Sequence, residues 1–372
     1  MKAAHAQTII QAFEAFSPKN LAVEGDKIGL QIGTLNKPVE KVMVTLDVLE
    51  PVVDEAIEQG VSLIIAHHPI IFRPLQNLRT DQAAGRTIEK LIKHDIAVYV
   101  AHTNLDVADG GVNDLMAEAL GLTSTQVLAE TTVDRVKKLS VFAPVSHAEV
   151  VREAIGDAGA GKIGDYSHCS FQTEGTGMFV PSNEADPFIG EKGELARVDE
   201  VKIESVFYES QQSEILRALK QAHPYEEPAY DIFVSDIKGK SRGLGRIGYL
   251  EQEMTLDAFI DHVKGAFAVK GARAVGDKSK PIKKVAVLGG DGNKYLRTAI
   301  QKGADAYVTG DLYFHVAHDA MIEGLACVDP GHHVEKIMKQ AVADKLRKFI
   351  TSKKYDTEII VSNIQTDPFW FK

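Results

Sequence analysis

The chain has 372 residues, too many for one comfortable core, so two or three domains are expected. A balance of 52 acidic against 42 basic residues leaves a formal net charge of -10, which argues against wholesale binding to nucleic-acid phosphates or an anionic membrane. No run approaches the roughly eighteen apolar residues of a membrane helix, and two cysteines without metal spacing, Cys169 and Cys327, argue against a disulfide framework or a thiolate zinc site and make the cytoplasm the default.

Met1 to Phe16 reads as an amphipathic helix without the apolar core and cleavage site of a signal peptide. Residues 24–33 combine acidic side chains with three glycines, a loop or hairpin rather than a phosphate cradle, because no helix pattern follows. Lys41 to Leu46 is the next strand and Leu49 to Gln59 a helix. The continuous apolar run from Val61 to Ala66 then reads as a strand buried on both faces, stopped by His67, His68 and Pro69. A helix over about 82–94 leads into the strand Ile96 to Ala101, which ends in His102 and the polar residues up to Asp106. Gly110 and Gly111 open a further helix to Gly121.

The other end of the chain has the same grammar. Strands are expected over 284–288, 305–309 and 325–328, followed respectively by the glycines at 289–292, by Gly310 and Asp311, and by residues 329–335, where a helix to about Phe349 begins. A helical segment carries His315, His318 and Asp319, and Glu358 to Val361 is the last strand. Right-handed crossovers would gather all these strand ends on one edge of a parallel sheet, where open α/β folds bind ligands. The middle differs in kind: strand, helix, strand, strand, helix, strand from about Leu139 to Asp236 is the ferredoxin-like βαββαβ order and reads as an inserted domain.

The strand ends deliver chemistry. His332 and Glu335, three apart at a helix start, share a face and can grip one centre, whereas His333 and Glu335 point apart, so His332 is the choice. Together with His67, His68 and Asp106 they make three imidazoles and two carboxylates. One catalytic ion needs about three protein ligands, so five imply two ions sharing a bridging carboxylate, about 3.5–4 Å apart, with Zn, Fe or Mn better suited than Mg or Ca. The plainer account of any one of these groups is a helix cap or a satisfied loop residue. His102 is a proton shuttle, an orienter of a ligand or a loop histidine. Asp311 and His315 lie near the crevice without a duty, and His5, His94, His147 and His262 are most simply surface residues. In the middle segment, residues 223–228 suit a ligand site but suit turn and packing chemistry better.

Ile65 to Pro69, Ala101 to Asp106, Thr309-Gly310-Asp311 and Gly331-His332 with its downstream glutamate together resemble the Nif3-like family, the YqfO and YbgI group also described as GTP cyclohydrolase 1 type 2 homologues. Residues 164–169 and 223–230 resemble the PII- or CutA-like insert of its longer members. The resemblance implies an α/β protein with a Nif3-like core in two halves, 1–132 and 239–372, around an inserted ferredoxin-like domain at 133–238. It implies a toroidal homohexamer with a dinuclear centre of divalent ions on His67, His68, Asp106, His332 and Glu335, Glu335 bridging. Shorter members place that glutamate four residues after the histidine, where this chain has Lys336; both spacings share a helix face. The implied activity is hydrolysis of a purine nucleotide or related heterocycle, a GTP ring opening by metal-bound hydroxide with His102 shuttling protons. The alternative is a non-enzymatic metal-binding assembly or regulatory adaptor with a ligand-sensing insert; cleavage of an amide or phosphoester is a third expectation.

Overall fold

The structure, a computed structural model, describes residues 2–370. The apolar run at 61–66 forms the strand Leu63–Ala66, whose four side chains are fully buried. Leu63 and Ile65 enter one hydrophobic cluster, Ile64 and Ala66 another. A strand covered on both faces has no polar face to alternate with, which is why the sequence shows an unbroken run. Ala97–Val100 behaves in the same way, as do the buried centres of Pro281–Asp291 and Ala326–Asp329.

These strands lie in two sheets, not along one edge of one sheet as the sequence reading expected. The first has the order Glu358–Val361, Lys41–Thr45, Leu63–Ala66, Ala97–Val100, Gly29–Ile32, parallel except at the last pairing. The second has the order Arg273–Val275, Ala326–Asp329, Ala306–Gly310, Pro281–Asp291, Lys240–Thr255, Thr123–Asp134, with a parallel centre. The halves exchange strands: Glu358–Val361 joins the amino-terminal sheet, and Thr123–Asp134 the carboxyl-terminal one.

The physical reason is helix coverage. Helices Ala6–Phe16, Val112–Ala119, Leu256–Phe267 and Met338–Ser352 contribute Ile9, Phe13, Met116, Phe259, Val342 and Leu346 to the cluster shared by the inner faces of both sheets. Glu50–Glu58 and Ala83–Lys93 cover the outer face of the first sheet, Leu296–Gln301 and Phe314–Ile322 that of the second. The helical layer between the sheets buries their two inner faces and the outer helices bury the other two, an arrangement that leaves no apolar sheet face open.

The strands Thr123–Asp134 and Lys240–Thr255 have no clear signature in the sequence, where residues 241–246 look like a connecting segment. Most side chains of the first are exposed or half-exposed, and the second is rich in glycine. Its glycines mark close approach: a Cβ on Gly243 would sit 1.9 Å from the Ala129 carbonyl oxygen.

Val133–Ser241 forms a compact unit of its own. Val136–Pro144, Ala148–Asp157, Ser170–Phe179, Ala196–Tyr208, Gln212–Ala222 and Tyr230–Val234 follow in βαββαβ order. The sheet is antiparallel, in the order Tyr230–Val234, Val136–Pro144, Ala196–Tyr208, Ser170–Phe179. Val151, Ile155, Ile215 and Leu219 seat its two helices on the sheet. The second and third strands of the unit run beyond the expected 169–173 and 201–206, because a hairpin ladder needs backbone groups, not apolar side chains, to continue. Among the described residues no helix is long and apolar enough to cross a membrane.

Candidate metal centre

The five ligand candidates come from three chain segments. His67 and His68 leave the end of Leu63–Ala66 with their amides still donating to the Thr45 and Leu46 carbonyls, at 3.3 and 2.9 Å. Asp106 lies on a short helix, Thr103–Val107, that begins where Ala97–Val100 ends, so the expected strand-end loop is helical. His332 and Glu335 occupy a 3-10 turn, His332–Ile337, ahead of the α-helix Met338–Ser352. In a 3-10 turn positions i and i+3 eclipse, which aligns these two side chains more closely than the expected α-helical start would.

The three segments converge on one oxygen. Glu335 Oε2 lies 3.0 Å from His68 Nε2, 3.2 Å from His332 Nε2 and 3.7 Å from His67 Nε2, and His67 Nε2 lies 3.7 Å from Asp106 Oδ1. Two sets of ligand atoms, His68, His332, Glu335 and His67, Asp106, Glu335, each fit within 4.8 Å, and Glu335 belongs to both. His67, His68 and His102 form a third such set.

Each imidazole is held from behind. Nδ1 of His67 bonds the Ala101 carbonyl at 2.9 Å, Nδ1 of His68 bonds Asp47 at 2.7 Å, Nδ1 of His102 bonds Asp26 at 2.8 Å, and Nδ1 of His332 bonds Asp311 at 2.6 Å. An oxygen acceptor at Nδ1 puts the proton there and leaves the Nε2 lone pair for the centre, the arrangement that orients and strengthens metal-binding histidines.

Whether the donors suit a cation is decided by the atoms left over. His67 Nε2 and Asp106 Oδ1 are fully enclosed and have no hydrogen-bond partner. Buried polar atoms nearly always find one, and an inward-facing lone pair beside a carboxylate oxygen is satisfied by a positive ion. The nitrogen and oxygen donor set fits a divalent transition metal.

Without a cation the centre holds protons instead. Burial works against charge on His68, but hydrogen bonds to Asp47 and Glu335 outweigh it and raise its pKa to about 10. His332 shows the same opposition, with Glu335 and Asp311 raising it to about 9. Burial and the nearby Glu335 charge lift Asp106 to about 6, against the pull of His67. Glu335 is itself buried, yet the hydrogen bonds around it hold its carboxyl well below the usual range.

Backbone geometry makes room for this crowd. Gly290 has φ +64°, and a Cβ there would lie 2.8 Å from Glu335 Oε1 and 3.2 Å from His332 Nε2. Asn113, fully buried, accepts from the Gly289 amide and donates to the Asp106 carbonyl, both at 3.0 Å, and so ties segments 176 positions apart.

Asp311, without a duty in the sequence reading, orients His332. Asp26 and Asp47 were missed as site residues, although Asp47 follows the strand Lys41–Thr45 and the strand-end rule that found His67 covers it equally. His315 is exposed and packs on Phe314, and His333 stays outside all three ligand sets. His147 and His262, expected at the surface, are half-buried: the first packs edge-on against Phe188, and the second bonds the Leu120 carbonyl at 3.0 Å.

Two sheets closing on a buried histidine and carboxylate cluster define an α/β protein with a candidate metal site. The profile of Duf34/NIF3 (NGG1p interacting factor 3) matches residues 4–368, and the chain belongs to that family. It is 61% identical over 370 residues to the Bacillus subtilis protein named GTP cyclohydrolase 1 type 2 homolog, covering 100% of this chain and 99% of the relative. A Halalkalibacterium halodurans protein of the same name is 58% identical over 371 residues, with both chains fully covered. The crystal structure of a Bacillus cereus protein related to NIF3 superimposes with a TM-score of 0.94 at 58% identity, each chain covered in full.

Proposed function

We propose that this protein is a dinuclear metal-dependent hydrolase acting on a purine nucleotide or a related heterocycle, with GTP the first substrate to test. One observation carries the reading: two three-ligand sets share Glu335. His68 and His332 would hold one divalent ion and His67 and Asp106 the other, with Glu335 bridging. Zn, Fe or Mn suits these donors. The ions would supply Lewis acidity and an activated water near neutral pH.

The chain's own residues do the rest. His102, its Nδ1 held by Asp26, faces the centre with Nε2. Burial opposes its charge, but Asp26 and Asp106 raise its pKa, which favours the protonated ring from which Nε2 would deliver a proton to a leaving group. Asp47 and Asp311 fix the imidazoles of His68 and His332, and the names of the curated relatives support a guanine nucleotide as substrate.

The same reading includes a homohexamer in the cytoplasm. Tyr313, Phe314, Met321 and Ile322 expose an apolar patch at one helix, which supports self-association, and both cysteines are free thiols, as a reducing compartment keeps them.

The test is metal content per chain on protein purified without added metal, followed by incubation with GTP and assay for formate. The reading expects about two ions per chain, sharply fewer in His67→Ala and Glu335→Ala, and metal-dependent turnover that His102→Ala lowers about 10²–10⁴-fold without loss of metal. Two ions without turnover on any nucleotide would reject the hydrolase and leave a metal-binding adaptor. No bound ion would reject the centre.

A further inference from the structure

We propose that the unit Val133–Ser241 carries a separate binding site for a small protonated amine with an apolar body. The site is independent of the metal centre. It is a cavity of about 380 Å³ within that unit, walled by Phe142, Phe179, Phe188 and Tyr225 and floored by Gly177 and Glu200. That volume lies at the small end of ligand pockets, enough for one ring and a short chain.

Glu200 gives the cavity its chemistry. It projects from the central strand Ala196–Tyr208 and is only 9% exposed. Tyr225 donates its hydroxyl to Glu200 Oε1 at 3.0 Å, and among the described residues no donor reaches Oε2. Gly177, across the hairpin, makes room for that oxygen, since a Cβ there would lie 2.1 Å from it. A second, independent feature is the sign of the lining: it holds three carboxylates, Glu200, Glu226 and Glu227, and no lysine or arginine. A largely buried carboxylate with one oxygen unmatched by a protein donor, in a lining without lysine or arginine, calls for a positively charged N–H donor.

The walls agree with that choice. Phe179 and Phe188 stand 5.8 and 6.4 Å from Tyr225, centroid to centroid, so the rings surround the space in front of the carboxylate. Aromatic faces attract a cation and cover an apolar body, and they repel an anion. The Asp186 amide donates to Glu226 Oε1 at 3.2 Å, joining the segment that carries Phe188 to the turn that carries Tyr225. In the turn at 223–228 His223 packs inward, and Tyr225 to Glu227 line the cavity.

The test uses the full chain and calorimetric titration with 2-phenylethylamine, beside 2-phenylethanol as a neutral isostere and phenylacetate as an anion. One amine should bind per chain, at least tenfold more tightly than the alcohol, with no phenylacetate binding. Glu200→Gln should abolish the preference for amine over alcohol, and Phe188→Ala, at an exposed wall position, should weaken the amine several-fold with an unchanged melting temperature. Metal content and nucleotide turnover should stay at wild-type levels in both, so failure here is separate from failure at the metal centre. Equal affinity for amine and alcohol, no amine binding up to about 10 mM, or a Glu200→Gln change in oligomeric mass that marks the cavity as a subunit contact would each overturn the proposal. If Glu200→Gln does not fold, the three-ligand comparison on wild type and Phe188→Ala decides it.

Discussion

His68 Nε2 and His332 Nε2, from opposite ends of the chain, face each other at 3.3 Å. Asp47 and Asp311 already take the Nδ1 protons, so neither nitrogen satisfies the other: each needs either a proton to share with Glu335 or a metal ion. Their raised pKa values, about 10 and about 9, are the proton solution. Metal uptake must displace those protons. At pH 7 metal addition should release about two protons per chain, fading as pH rises through 9 to 10 where the free site no longer holds them. Calorimetry in buffers of different ionisation enthalpy reads this directly, and zero release at pH 7 would contradict the geometry.

Asp47→Ala and Asp311→Ala test the hold on the imidazoles without touching a ligand candidate. Each removes the acceptor behind one ring, at 2.7 and 2.6 Å. Metal affinity should fall about 10–100-fold in each, with little change in melting temperature of the metal-free protein. Wild-type affinity in both would show that the rings are positioned by packing alone.

Gly290→Ala and Gly60→Ala separate backbone strain from crowding. Both glycines sit at positive φ, +64° and +69°, so each substitution costs about 1–2 kcal/mol in backbone strain. Only Gly290 has Glu335 and His332 within 3.2 Å of the new Cβ, whereas Gly60 has nothing within 4 Å. Metal content measured on the folded variants should drop for Gly290→Ala and hold for Gly60→Ala; parallel behaviour would remove the steric argument.

His223 gives the inserted unit a pH dependence. Its Nε2 donates to the Phe142 carbonyl at 2.9 Å and its Nδ1 accepts from the Tyr225 amide at 3.1 Å, a pattern only the neutral ring can make. Burial lowers its pKa, with the Phe142 bond and Glu200 pulling the other way. A histidine whose folded pKa is depressed stabilises the fold fully above its unfolded value of about 6.5 and loses that contribution as pH falls through the folded value. Exchange of the Tyr225 amide should accelerate as pH drops below about 6.5, beyond the intrinsic trend, and His223→Gln should flatten that response. A His223 resonance titrating above 6.5 would reverse the sign and defeat the account.

Local signals carried far. The unbroken runs at 63–66 and 97–100 announced strands buried on both faces, and residues that follow them, His67, His68 and Asp106, were legible because polar groups past a strand end have few other reasons to collect. The i+3 spacing of His332 and Glu335 was legible for the same reason: a turn of backbone sets it, whatever lies far away. The βαββαβ order of the insert needed only periodicity.

Tertiary packing decided the rest. No local pattern says that Glu358–Val361 crosses to pair with Lys41–Thr45, or that a helical layer separates two sheets; both follow from which apolar faces must be covered, a property of the whole chain. Asp26 and Asp47 look like ordinary loop acids in sequence, and become partners of His102 and His68 only when segments 76 and 21 positions apart meet. Glu200 is likewise one charged residue in a strand until Tyr225, Gly177 and three aromatic walls enclose it. Composition and period fix which way a residue faces within its own element, while the identity of what it faces depends on contacts between distant segments, and those exist only once the core has closed.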